Sequence, residues 1–169
     1  MFSGAIPQNN TPGTEKNELY IISGRDKNTL ELWFKNLTIG LIAEHGAWIR
    51  EKNGNWETIQ PLDNDWKEEI RAKLELFVDR TPGSFIEEKE YSLAWHFRKA
   101  EHELATLRSK ELKDALYSLT ANLNLNILEG KKVLEIRNSI INKGIAVLKK
   151  INNEHWDFIL AIGDDHTDE

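Results

Sequence analysis

A chain of 169 residues, 40% of them hydrophobic, is long enough for one domain or for one compact core with an insertion. Its net charge of −6, from 22 basic against 28 acidic residues, argues against a nucleic-acid or anionic-membrane partner. Cysteine is absent, which excludes disulfides, thiolate zinc sites and a cysteine nucleophile. No apolar run approaches ~18 residues, and the first residues lack a basic start and a long apolar stretch, so a cytoplasmic protein is expected.

Residues 1–17 are rich in Gly, Pro, Asn and Thr and read as an irregular segment. Residues 19–22 read as a buried strand ending at Ser23-Gly24-Arg25. A hydroxyl and the next N–H groups at a strand's carboxyl end can hold an anion, though a plain strand-turn-helix has the same look. Asp26 is an N-cap, and Leu30, Trp33, Phe34 and Leu37 follow at helical spacing. A third element, 39–43, is a strand that enters Glu44-His45-Gly46. His45 there faces a site or serves as a hydrogen-bonded hinge.

From residue 49 to 137 the pattern changes. Asn53-Gly54 signals a hairpin between Ile49 and Trp56. Residues 65–80 form a helix capped by Asp65, with Trp66, Ile70, Leu74 and Phe77 as its stripe. Strands at 85–89 and 93–98, a long amphipathic helix at 99–122, and strands at 123–128 and 132–137 complete a small antiparallel sheet with two helices on its apolar face. The opposite face carries Glu87, Lys89, His96, Arg98, Glu135 and Arg137. Such a face meets water, or it hydrogen-bonds a polyhydroxylated ligand.

After this insertion, Asn142-Lys143-Gly144 opens a helix with Ile145, Val147, Leu148 and Ile151. A lysine opposes the macrodipole there, which suits a facing anion or a solvated surface position. Residues 156–160 read as a buried parallel strand that stops at Gly163-Asp164-Asp165. Adjacent carboxylates at a strand's end suit Mg²⁺, and equally a solvated acidic loop. Ser23, Lys143 and the aspartates together supply the hydroxyl, ammonium and metal ligands of a phosphoryl-transfer site.

The ordered segments YIISGR, AEHGAW, SFIEEKEYSLAWHFR, KVLEIR, NKG and GDDHTDE resemble trehalose-6-phosphate phosphatases of the haloacid dehalogenase superfamily, from about Leu19 onward. The resemblance implies an α/β fold: a Rossmann-like core from 18–48 and 138–169, with an inserted α/β cap at 49–137. It implies that Ser23 binds phosphate and that Lys143 steadies nucleophile and phosphate. Asp164 would be a Mg²⁺ ligand, with Asp165 and Asp168 in support. Glu87, Lys89 and Glu135 would bond the trehalose hydroxyls, with Arg98, Lys131 and Arg137 as further substrate-binding candidates.

The family's first motif, D-x-D-G-T, is absent, and no Asp precedes Asp26. Its aspartates are the nucleophile and the general acid/base on the central strand, so the sequence reads as a piece of a phosphatase that is inactive by itself. Two expectations follow. One is a Mg²⁺-dependent trehalose-6-phosphate phosphatase whose nucleophile lies outside this chain, attached to or associated with a trehalose-6-phosphate synthase domain. The other is a non-catalytic sugar-phosphate-binding or regulatory domain of such a synthase. Another sugar phosphatase of the superfamily is a variant of the first, because cap residues set the substrate.

Overall fold

The computed structural model describes residues 17–152 and 155–163. They build two four-stranded sheets. The first contains β1 (Tyr20–Ile22), β2 (Gly40–Ala43), β3 (Trp48–Arg50) and β4 (Trp56–Thr58), in that spatial order. β1 and β2 run parallel, joined through α1 (Lys27–Phe34), and β2–β3 and β3–β4 are antiparallel. The Asn53-Gly54 hairpin therefore extends the first sheet rather than the second. Asp26 caps α1 as expected: its carboxylate accepts from the Thr29 N–H at 2.9 Å, and hydrogen bonds from Thr29 hold its pKa below the ordinary carboxylate value.

The second sheet has the order β5 (Phe85–Glu88), β6 (Ser92–His96), β8 (Val133–Asn138), β7 (Leu125–Gly130), all antiparallel. Strand alternation sends Leu93, Trp95, Leu134 and Ile136 to one face, where α2 (Trp66–Asp79) and α3 (His102–Thr120) cover them. Trp66, Ile70, Leu74 and Phe77 of α2 are buried there, as their i, i+4, i+8, i+11 spacing predicts. Burying each such side chain contributes about 1.5–3 kcal/mol, so this layer is the larger source of stability.

Several expectations are corrected. Asp65 does not cap α2 with its side chain: it adopts helical φ/ψ, and its N–H donates to Asp63 Oδ1 at 2.8 Å. The amphipathic helix expected at 99–122 runs from His102 to Thr120, with Ala105, Leu112, Leu116 and Thr120 as its buried stripe and Leu107 exposed. In α4 (Lys143–Ile151) only Ala146 is fully buried, and Ile145 and Leu148 are exposed. The strand expected at 156–160 is not formed; Phe158, Ile159 and Leu160 are irregular and exposed. An apolar run becomes a strand only by hydrogen-bonding to a neighbour, and among the described residues none pairs with it.

Candidate functional site

The turn after β1 is tied to the turn after β2. Ser23 N–H donates to Ile42 O at 2.9 Å, and His45 N–H donates back to Ser23 O at 3.0 Å. The Ser23 hydroxyl accepts from Arg25 N–H at 3.2 Å. The second turn is conformationally unusual, since Glu44 (φ 47°), His45 (φ 57°) and Gly46 (φ 109°) are successive left-handed residues. Gly46 is required: a Cβ there would stand 2.8 Å from the carbonyl oxygen of Asn142 and 3.1 Å from Ala146 Cβ. That close approach seats the turn on the start of α4. Asn142 Oδ1 accepts from the N–H groups of Gly144 and Ile145, and Lys143 is the first helical residue.

Ser23, Gly24 and Lys143 thereby line one cleft of about 1310 Å³. Its far wall is the irregular segment from Phe158 to Gly163. The expected Mg²⁺ ligand Asp164, with Asp165 and Asp168, lies outside the described residues; Gly163, immediately before them, lines the cleft. Among the described residues no group of three or more His, Asp or Glu is arranged to hold a metal. The carboxylates that follow Gly163 supply hard oxygen ligands, the donor type that Mg²⁺ takes.

The polar face of the second sheet meets these turns. Strand register arranges it in rows. Glu87 pairs with Ala94, which pairs with Glu135. The small buried Ala94 leaves the two carboxylates flanking an open strip ~10 Å across, twice the interstrand spacing. One row nearer the first sheet, Lys89 N–H donates to Ser92 O and Ser92 pairs with Arg137. Lys89 Nζ reaches across to donate to Gly24 O at 3.0 Å, and sits 3.6 Å from Glu87 Oε1. Glu87 also contacts His96 Nε2 at 2.7 Å. Glu135 Oε2 lies 3.6 Å from His45 Nε2.

The seam is further fastened by Tyr91 N–H donating to Glu44 Oε2 at 3.4 Å, by Lys27 pairing with Glu90 at 3.0 Å, and by Trp48 against Tyr91. Lys67 donates to the main-chain oxygens of Lys89 and Glu90, which pins the β5–β6 turn. Burial lowers the Lys67 pKa and raises that of Glu44. Burial also pushes His45 down to about 4, against the pull of Glu135. Arg137 is 6% exposed, and its Nε and Nη1 have no hydrogen-bond partner among the described residues. A buried guanidinium in that state is poised to donate to a ligand.

The structure thus lines one cleft with Ser23 and Lys143, and links the second sheet to the adjoining turns through Lys89 on Gly24 O and Glu135 beside His45, with Glu87 next to Lys89 and Arg137 in the same row as Lys89. Arg98 and Lys131 lie apart, exposed in turns at the end of the sheet remote from the seam. The sequence reading gave no definite role to His45 and none to the Gly24 carbonyl. A histidine directly before a glycine at a strand's end is the cue that leaves His45 between a site-facing and a hinge role.

The trehalose-phosphatase family model matches residues 14–169. The chain is 38% identical over 151 residues to a bifunctional trehalose-6-phosphate synthase/phosphatase of Thermoproteus tenax, covering 89% of this chain and 21% of that protein. It is 35% identical over 176 residues to a trehalose-phosphatase of Saccharomyces cerevisiae, covering 90% and 20%. The C-terminal domain of a trehalose-6-phosphate phosphatase from Candida albicans superimposes with a TM-score of 0.80 at 32% identity, covering 90% of this chain and 57% of that one. The chain spans about a fifth of the length of the curated relatives it matches.

Proposed function

The chain belongs to the trehalose-phosphatase family, with its haloacid-dehalogenase fold, and from that premise we propose that it binds trehalose 6-phosphate and forms part of a phosphatase that hydrolyses it. One observation carries this reading. The carboxylate-and-lysine face of the second sheet is joined directly to the phosphate-type turn of the first, through Lys89 Nζ on Gly24 O at 3.0 Å. A sugar phosphate has both halves of this chemistry: hydroxyls for Glu87, Lys89 and Glu135, and a phosphoryl group for Ser23 and Lys143.

In this reading the Ser23 hydroxyl donates to a phosphoryl oxygen, and the Lys143 ammonium offsets the phosphoryl charge. Residues 18–48 and 138–169 contribute to the hydrolase core, and the insertion expected at 49–137 supplies a cap that covers the sugar and excludes water. Continuity of the first sheet through Thr58 favours a cap that starts after residue 58. Mg²⁺, held by Asp164 with Asp165 and Asp168 in support, would stabilise the charge that develops on the transferring group. No D-x-D-G-T occurs in the 169 residues, so attack on phosphorus falls to an aspartate outside them. A cytoplasmic setting goes with this, because a phosphorylated sugar does not cross a bilayer unaided. Fusion to, or association with, a synthase domain is proposed from the bifunctional Thermoproteus relative.

The test has two arms. The 169-residue chain should bind trehalose 6-phosphate in a calorimeter yet release no phosphate from it. In the polypeptide that joins this chain to a D-x-D-G-T segment, Glu87→Ala or Lys89→Ala should lower kcat/KM for trehalose 6-phosphate by about 10²-fold, the scale of a lost charged hydrogen bond. Hydrolysis of p-nitrophenyl phosphate should stay near its starting rate. Equal losses on both substrates reject the sugar-binding role, and robust turnover by the chain alone rejects the missing nucleophile.

A further inference from the structure

His45 occupies a position with no assigned task. Its backbone is left-handed, at φ 57°, a conformation that costs a non-glycine residue about 1 kcal/mol or more and persists only where its surroundings enforce it. Its main-chain N–H holds the Ser23 carbonyl at 3.0 Å. Its ring lies directly over Gly24, where any Cβ would overlap the imidazole. The same Nε2 edge that lies nearest Gly24 also faces Glu135 Oε2 at 3.6 Å, and Nδ1 is buried with no hydrogen-bond partner among the described residues. Arg137 and Lys143 add their positive charge to this surrounding, as does Lys89. One residue therefore touches the phosphate turn with its backbone and the sugar-facing carboxylate with its side chain.

We infer that His45 is a positioning residue for substrate specificity: it couples Glu135 on the second sheet to the Ser23-Gly24 turn, so that sugar and phosphate are gripped in one register. The inference rests on the trehalose 6-phosphate reading for its ligand, and on geometry alone for the coupling. Burial keeps the imidazole neutral, so it orients Glu135 without neutralising it. At 3.6 Å, beyond hydrogen-bond length, the ring leaves the Glu135 oxygens able to accept from a sugar hydroxyl. The left-handed backbone sets how the ring enters the seam, and Gly24 provides the space it fills.

The test uses the whole 169-residue chain and isothermal titration with two probes, trehalose 6-phosphate and inorganic phosphate, both with Mg²⁺. His45→Asn is the variant of choice, because Asn tolerates a left-handed backbone better than most residues. It should weaken trehalose 6-phosphate about tenfold and phosphate by less than about twofold, the pattern of one lost oriented polar contact. Combined with Glu135→Gln it should add no more than about twofold to the loss from Glu135→Gln alone, because coupled sites are not additive. Equal losses on the two probes, or losses that multiply independently, overturn the inference. A second measurement needs neither ligand nor His45 variant: the His45 imidazole ¹⁵N resonances should move in Glu135→Gln, and unmoved resonances overturn the coupling. Should the unmodified chain bind trehalose 6-phosphate no better than glucose 6-phosphate, the trehalose reading falls, and the resonances still decide the role of His45.

Discussion

Protonating His45 introduces a charge where burial disfavours it, and its pKa of about 4 lies below the ordinary 6.5. Between those values the unfolded chain binds more protons at this site than the folded one. Stability from this group is therefore complete above about pH 6.5 and falls as pH drops toward 4. The loss should be on the order of 1–3 kcal/mol, and His45→Asn should flatten the slope of Tm against pH in that window. Buried Glu44 works in the opposite sense. Its raised pKa favours the folded state at low pH, and that contribution is lost as pH rises through the raised value. Comparing variant with parent isolates the histidine. A slope unchanged by His45→Asn would show that the ring is not desolvated as the structure has it.

Among the elements, α2 and α4 differ in a way that explains what the sequence could tell. Both have apolar residues at helical spacing. In α2 the stripe finds β6 and α3 and is buried, so periodicity alone identifies the core. Leu74→Ala should cost about 2–5 kcal/mol in denaturant unfolding, because Leu74 is fully buried beneath the sheet. In α4, Ile145 and Leu148 face outward, and 156–160 forms no strand. Local pattern specifies that such segments want a partner and cannot say whether one is within reach. The turn that seats α4 is testable separately. Gly46→Ala meets both a positive φ and the Asn142 carbonyl, so it should destabilise by more than about 1 kcal/mol and loosen the Lys143 end of the cleft. A melting temperature unchanged by this substitution would contradict the close approach. Asp65 shows a finer limit: its capping-box spacing is present, yet Asp63 makes the hydrogen bond at that end of α2.

At the scale of the whole molecule, two sheets meet along a polar seam. The residues that face each other there are 65 apart in the chain for Lys89 and Gly24. No local pattern connects them. What made them legible was the ordered set of short motifs, each weak alone. The same set contains His45 but leaves its role open, because its placement shows in a contact across the seam with Glu135 and in a backbone conformation that sequence does not display. The resemblance also offers Arg98 and Lys131, and the strand register sets them at the other end of the second sheet. β1 stands at one end of the first sheet with an outer edge that no strand covers among the described residues. Beside it lie the exposed apolar side chains of Phe158, Leu160 and Ile162. An uncovered edge flanked by apolar side chains is a template for intermolecular strand addition. The weight-average mass of the 169-residue chain from light scattering should therefore rise with protein concentration, and a peptide bearing an apolar strand that ends in D-x-D-G-T should suppress that rise. The handling of this polypeptide, as much as its chemistry, would then turn on the three residues of β1: an edge open to self-association, and a template for the strand that completes the sheet.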